Sequence, residues 1–233
     1  MCFNICCFPK TLFISVPQKF RDLERARNGI RSRQAPLLLR QFLAEVLGTF
    51  LLVLFGDGSI AQYKMLDPSS QNFLSVCFGY GFALMVGILV SGNVSGGHLN
   101  PAVTLAMAVL KKCSWLQVAV YWVAQYLGAL LGAAVLYGIY ADGIALNLGK
   151  NVQGAGIFAS FPNEDSSTAT LIMDQALGTA CLLVIILAVT DKRNMDVPSG
   201  LIAPLIGLGL AAIHISFAFN AGCAINPARD LSP

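Results

Sequence analysis

The tripeptide Asn-Pro-Ala occurs twice in this chain, and both copies lie in very apolar surroundings. Asparagine is a strong helix N-cap and proline fits the first helical turn, so each copy predicts the start of a helix. Inside a membrane, such a break in the backbone is tolerated only where protein buries it or where it lines a watery cavity. The pair therefore predicts two helices that begin within a membrane protein. The six residues are Asn100, Pro101, Ala102, Asn226, Pro227 and Ala228.

The composition supports this prediction. Hydrophobic residues make up 56% of the 233 residues and charged residues only 12%, and the mean hydropathy is +0.68, all typical of a membrane protein. Since about 20 apolar residues cross a bilayer, we expect an all-α, multi-pass protein. The predicted spans are 37–61, 73–91, 115–140, 171–190 and 201–219. Residues 101–110 are too few to cross and predict a half-helix.

The two halves of the chain resemble each other. Glu45 begins the sequence Glu-Val-Leu-Gly-Thr and Gln175 begins the similar Gln-Ala-Leu-Gly-Thr. Glu45 lies 55 residues before Asn100 (100 − 45), and Gln175 lies 51 residues before Asn226 (226 − 175). Because an odd number of crossings separates the copies, the second repeat is inverted relative to the first. Inverted repeats with broken helices are typical of a transport pathway at the middle of the membrane.

Charged residues within the spans are few. A carboxylate at the position of Glu45 is costly in a bilayer, so we expect Glu45 to face the helix bundle and accept hydrogen bonds from buried backbone donors. We interpret Asp57, near the far end of the same span, as a solvated headgroup residue.

Arg229 stands where the first repeat has Val103, and a cation in the first turn of a helix opposes the dipole at a cost of up to about 1 kcal/mol. Arg229 either pairs with the adjacent Asp230 or lines a pore mouth, where it donates hydrogen bonds and repels cations.

Together the paired Asn-Pro-Ala motifs, the Glu-x-x-Gly-Thr repeat and Arg229 resemble the aquaporin family, over the chain from about residue 40 to 233. Asp230 and the loop 156–162 resemble the glycerol-permeating branch, the aquaglyceroporins. The resemblance implies a passive channel for water and glycerol or other small neutral solutes, which excludes ions and protons. It also implies a plasma-membrane homotetramer that is not an enzyme, with no cofactor and no bound metal. The resemblance also implies that Glu45 and Gln175 anchor the two loops. Because the family commonly has glutamate at the second position, we expect Gln175 to weaken one loop-anchoring hydrogen bond.

The resemblance also implies an outer constriction, or selectivity filter. Its four positions correspond to Tyr80, His214, Cys223 and Arg229. Glycerol channels usually carry a small residue at the His214 position, whereas histidine together with cysteine is the pattern of water-selective members. The filter residues and the branch resemblance therefore point to different substrates. His98, beside the first motif, is predicted either to line the inner vestibule or to bond the loop backbone.

Basic residues concentrate before the first span, which favours a cytoplasmic N-terminus. We therefore expect a basic cytoplasmic segment over 1–36, read as a juxtamembrane flank with no nucleic-acid partner, and a channel domain over 37–233. Within the domain, the first repeat covers about 37–140, a loop 141–169, and an incomplete second repeat 170–233. Because the second repeat has no counterpart of the third span, we expect the sequence to be a fragment or shortened product without its sixth span.

Several alternatives stay open at this point. The chain could be a water-selective aquaporin with no glycerol flux, or a non-conducting truncated product. From another class, a coupled secondary transporter also has inverted repeats and broken helices. It would need ion ligands at the membrane midplane, where Glu45 is the one convincing acid.

Overall fold

A computed structural model of the chain describes residues 37–148 and 152–232. In this part of the chain, five helices are long and apolar enough to cross a membrane. They are α1 (Leu37–Met65), α2 (Phe73–Ser95), α4 (Trp115–Asn147), α6 (Thr168–Thr190) and α7 (Ser199–Ala221). Three shorter α-helices lie between or after them, α3 (Pro101–Val109), α5 (Val152–Ala155) and α8 (Pro227–Leu231), and a 3₁₀ turn covers Pro68–Ser70. The predicted all-α multi-pass fold is thus confirmed, while the predicted basic segment 1–36 lies outside the described residues.

The two repeats meet where α2 crosses α7. Gly81 and Gly207 face each other there, and a methyl group on either one would collide with the backbone carbonyl of the other. Each glycine lies 19 residues before the asparagine of its own repeat (100 − 81 and 226 − 207). Small residues at such a crossing let two membrane helices approach closely. Equivalent positions of the inverted repeats are therefore in contact at the centre of the molecule.

The remaining long helices pack around this centre. Helix α1 packs against α2 and α4, and α6 packs against α7. The main apolar core lies among α1, α2, α3, α6 and α7 and includes Leu52, Leu84 and Leu210. Many large apolar side chains are exposed on the outside of the helices, as expected of a surface that faces lipid. Examples are Leu43, Leu89, Val123, Ile172, Val184 and Ile215.

Helix α4 is longer than predicted, so the expected loop over 141–169 is wrong at its start. The helix continues through Asp142 and Gly143 to Asn147. Ile144 is buried in a small cluster with Ala61 and Ile157, and this contact stabilises the extra turns despite their polar sequence. Packing in the folded protein here overrides local helix propensity.

Candidate functional site

Two re-entrant loops carry the Asn-Pro-Ala motifs into the centre of the protein. Asn100 caps α3 and Asn226 caps α8, each with the proline as the next residue. The side-chain oxygen of Asn100 accepts from the backbone N–H of Ala102 at 2.8 Å, and that of Asn226 from Ala228 at 3.1 Å. Both predicted half-helix starts are present in the structure.

The two asparagines also join the loops to each other. Asn100 Nδ2 donates to the carbonyl of Ile225, and Asn226 Nδ2 donates to the carbonyl of Leu99, both at 2.9 Å. Each carboxamide has a second N–H that these two bonds do not use. The amides therefore lie next to each other, with their oxygens turned toward the helices and their free donors available to a solute.

Sharp turns connect the long helices to the motifs. Gly96 and Gly97 follow α2 with φ of 95° and 63°, and Gly222 and Cys223 follow α7 with φ of 64° and 57°. Cys223 thus adopts the left-handed conformation that a glycine adopts in the first repeat, at a cost of roughly 1–2 kcal/mol. With cysteine in place of glycine, a side chain lies at this turn, and Cys223 is one of the residues that line the cavity.

Glu45 holds the first loop in place. It is completely buried, and its Oε1 accepts from the His98 N–H at 3.0 Å and the Ser95 hydroxyl at 2.5 Å. Its Oε2 accepts from the Leu99 N–H and from Gln125 Nε2, both at 2.8 Å. A buried carboxylate with four donors is well stabilised, since charge-assisted hydrogen bonds offset its loss of hydration.

Among the residues that the structure describes, Gln175 has no contact comparable to those of Glu45, so the predicted second loop anchor is wrong for this residue. Its Nε2 donates to the neighbouring Asp174 at 2.9 Å, and its Oε1 is buried with no hydrogen-bond partner among the described residues. A carboxamide offers one acceptor oxygen where a carboxylate offers two, and here its donor group faces Asp174. The repeats therefore differ in how their loops are anchored.

A cavity of about 210 Å³ is lined by residues of both motifs. The polar part of its lining combines residues from both repeats, namely Tyr80, His98, Asn100, His214, Cys223, Asn226 and Arg229. The rest of its lining is mainly aliphatic and includes Leu52, Leu84, Val103, Met107, Leu182 and Ile206. The structure thus brings all four predicted filter residues, both asparagines and His98 to one cavity.

Three of the predicted filter residues are in contact, because Tyr80 contacts both His214 and Arg229. The rings of Tyr80 and His214 are stacked, with centroids 5.0 Å apart and an interplanar angle of 14°. The Arg229 guanidinium carbon lies 5.5 Å from the centroid of the Tyr80 ring. Cys223 Sγ contacts the Ile213 carbonyl at 3.8 Å.

Arg229 is held by two carboxylates. Nε donates to Asp57 Oδ1 at 2.9 Å and Nη1 donates to Asp230 Oδ1 at 2.7 Å. The two interpretations from the sequence are therefore compatible, because Arg229 pairs with Asp230 and also lines the cavity. Nη1 further donates to Ser160 Oγ at 2.9 Å, and Nη2 to the Ile157 carbonyl at 3.0 Å.

Asp57 is not the solvated headgroup residue expected from the sequence. It is completely buried and forms an ion pair with Arg229, 172 residues away. Asp57 also accepts the Tyr80 hydroxyl hydrogen bond. The signal that could have identified it is the general rule that an ionisable residue within a span faces the protein interior.

Asp230 links Arg229 to the loop before α6. Its Oδ1 accepts from the Ser160 N–H at 2.8 Å as well as from Arg229. Ser160 lies in the loop 156–162, which resembles the aquaglyceroporin branch, as Asp230 does. The two features are thus in direct contact.

His98 is one of the residues that line the cavity. Its Nδ1 lies 3.2 Å from Thr104 Oγ1, and the ring packs edge-on against Tyr121 with centroids 5.2 Å apart. The Thr104 hydroxyl itself lies 3.0 Å from the Asn100 carbonyl and donates to it. With that proton engaged, Nδ1 is the donor to Thr104, so Nε2 is an acceptor when the ring is neutral.

This architecture, two inverted repeats with asparagine-capped half-helices that meet at a cavity, defines a class of membrane transport proteins. The family model described as "Major intrinsic protein" matches residues 32–233. The chain belongs to the major intrinsic protein family, as the resemblance predicted, and its similarities place it in the aquaglyceroporin branch.

Individual relatives agree with this placement. The chain is 41% identical over 203 residues to aquaporin-9 from Homo sapiens, covering 84% of this chain and 68% of that protein. It is 46% identical over 197 residues to aquaglyceroporin-2 from Rhizophagus irregularis, covering 82% and 62%. It is 43% identical over 205 residues to aquaporin-10 from Milnesium tardigradum, covering 84% and 50%. The chain thus spans about half to two thirds of the length of these relatives.

Among solved structures, the chain resembles the X-ray structure of the aquaglyceroporin from Plasmodium falciparum. The TM-score is 0.78 at 33% sequence identity, and the match covers 84% of this chain and 79% of that one.

Proposed function

We propose that this protein is a passive membrane channel for water and for glycerol or other small neutral solutes, and that it excludes ions and protons. The observation that carries the proposal is the reciprocal bonding of Asn100 and Asn226 within one cavity. It leaves one amide donor from each repeat available to an oxygen of the solute. Two helix N-termini meet at the same place, and their positive dipole ends oppose the passage of cations and of protons.

The walls of the cavity support an uncharged solute that carries hydroxyl groups. The lining offers amide, imidazole and guanidinium groups together with many aliphatic side chains. A polyol such as glycerol has one hydroxyl-bearing edge and one hydrocarbon edge, and the cavity offers partners for both. Water uses only the polar groups.

A water-selective channel is the second candidate, and the stacking of His214 on Tyr80 favours it. The imidazole occupies space at the constriction that a small residue would leave open. Against this, Asp230 and the loop with Ser160 support the glycerol-permeating branch, as do the names of two of the relatives. We therefore propose that both water and glycerol pass, with His214 reducing glycerol flux.

Stopped-flow light scattering on proteoliposomes tests the proposal directly. Shrinkage in sucrose reports water permeability, and re-swelling in glycerol reports glycerol permeability. We expect both rates to exceed those of empty vesicles and to be independent of sodium and proton gradients. Rapid water flux without glycerol flux would favour the water-selective candidate. Flux driven by an ion gradient would favour a coupled transporter, and no flux at all would favour a non-conducting product.

The cellular setting is also a proposal. We propose a homotetramer in the plasma membrane, with the basic segment 1–36 in the cytoplasm and the channel domain over 37–233. The clustering of basic residues before α1 supports this orientation, and the exposed apolar side chains of the helices are suited to lipid or to neighbouring protomers. Native mass spectrometry of the detergent-solubilised protein tests the tetramer, and protease protection in sealed vesicles tests the orientation.

A further inference from the structure

A buried carboxylate lies behind the outer constriction. Asp57, on α1, has no exposed surface and is not one of the residues that line the cavity. Its Oδ1 accepts hydrogen bonds from the Tyr80 hydroxyl and from Arg229 Nε, the latter at 2.9 Å. A single oxygen outside the cavity therefore holds two of the four filter side chains.

The Tyr80 ring packs against residues of both repeats. On one side the ring lies against the backbone of Gly56, where an added methyl group would be only 2.6 Å from Cε1. The ring also stacks on His214, and the guanidinium carbon of Arg229 lies 5.5 Å from its centroid. Because stacking is less directional than a hydrogen bond, the bond from the hydroxyl to Asp57 is the contact that fixes the far end of the ring.

Asp57 also fixes the orientation of the Arg229 guanidinium. Every nitrogen of the guanidinium has a protein partner, and Nε is the one that Asp57 engages. The remaining partners, Ser160, Ile157 and Asp230, bind the two terminal nitrogens. Without Asp57, the guanidinium could rotate about its contacts with Ser160, Ile157 and Asp230. This rotation would turn Nε toward the cavity.

We propose that Asp57 is a positioning residue that sets the width of the outer constriction and thereby the preference of the channel for water over glycerol. This inference rests on the proposed function. A carboxylate oxygen forms charge-assisted hydrogen bonds that are shorter and stronger than those to a neutral carboxamide. When they are weakened, Tyr80 and Arg229 occupy a wider range of positions, and the larger solute gains more from the extra space than water does.

The test compares the ratio of glycerol to water permeability in wild type, Asp57→Asn, Tyr80→Phe and the double variant. We expect each single change to raise this ratio about threefold or more. The ratio of the double variant should be close to that of the single variants, because both changes remove the same restraint. The ratio is independent of the amount of folded protein in the vesicles. Matched controls are Asp142→Asn, an exposed carboxylate on α4, and Tyr63→Phe, whose ring packs on Phe73 away from the filter.

An unchanged ratio in Asp57→Asn, or effects of the two changes that multiply in the double variant, would overturn the inference. A wild-type protein with no flux would instead count against the proposed function. In that case the same four proteins are compared by their thermal unfolding midpoints in detergent. A double variant whose midpoint falls no further than that of the worse single variant supports the coupling of Asp57 to Tyr80, and additive shifts overturn it.

Discussion

Gly81 on α2 and Gly207 on α7 are equivalent residues of the two repeats, and they touch each other. A methyl group on Gly207 would lie 2.5 Å from the Gly81 carbonyl oxygen, and one on Gly81 would lie 2.7 Å from the Gly207 carbonyl oxygen. Backbone atoms cannot yield as the end of a flexible side chain can. The crossing of α2 and α7 therefore depends on both residues having no side chain.

We expect Gly207→Ala to lower the free energy of unfolding by about 1–3 kcal/mol, the usual cost of overpacking a tight contact. The measurement is thermal or denaturant unfolding of the detergent-solubilised protein. Gly138→Ala on α4 is the matched control, because a methyl group there meets no atom within 4 Å. The control should be neutral or stabilise the protein by up to about 1 kcal/mol through helix propensity. Equal stability of the two variants would contradict the proposed contact.

Glu45→Gln should destabilise the first re-entrant loop and reduce water flux. The substitution replaces one acceptor oxygen with an NH₂ donor among four donors that already point at the carboxylate. A buried donor left without an acceptor costs about 1–3 kcal/mol. The change is measured as unfolding free energy and as water permeability per molecule.

Glu164→Gln makes the same chemical change in an exposed loop and serves as its control. If Glu45→Gln behaves like Glu164→Gln, the anchoring role of Glu45 is wrong.

His214→Gly should raise glycerol permeability and change water permeability less. Removing the imidazole takes away the ring that stacks on Tyr80 and leaves space at the constriction for the larger solute. Stopped-flow re-swelling in glycerol measures the effect. Ile215→Gly, on the neighbouring outward-facing position of the same helix, carries the same backbone cost without touching the cavity. Glycerol flux that stays at the wild-type value in His214→Gly would refute the filter assignment.

Mercurial reagents should block water flux by binding to the sulfur of Cys223. Of the four cysteines in the part of the chain that the structure describes, only Cys223 lines the cavity. A mercury atom on its sulfur would obstruct the constriction next to His214. Cys223→Ser should therefore conduct in the presence of the reagent, whereas Cys113→Ser should stay sensitive. Block that persists in Cys223→Ser would show that another site is responsible.

The sequence predicted the repeats and the half-helices well because their signals are local. Asn-Pro-Ala is both a cap and a first turn, so the helix starts at Pro101 and Pro227 follow from the chemistry of neighbouring residues. The length of α4 was missed because Asp142 and Gly143 look like loop residues. Burial of Ile144 against Ala61 of α1 stabilises the helix beyond these two residues. The neighbouring sequence contains no pattern that predicts this contact.

Asp57 and Gln175 show the same limit at the site. Asp57 was misassigned because its partner Arg229 is 172 residues away in sequence, and only folding brings the two charges to 2.9 Å. Gln175 was assigned by its correspondence with Glu45, but the side chain turns to Asp174. A correspondence between repeats gives the location of a residue in the fold, and its hydrogen bonds depend on the groups that surround it.

The amino-acid sequence alone was sufficient to predict a membrane protein with two inverted repeats and two half-helices, and to show its family resemblance. These features depend on apolar length and capping chemistry, which act over short distances along the chain. Tertiary structure decided which groups share the cavity, how the two asparagines bond across the repeats, and that the buried carboxylate of Asp57 binds both Tyr80 and Arg229. These contacts join residues from distant parts of the chain, and their geometry exists only once the helices have packed.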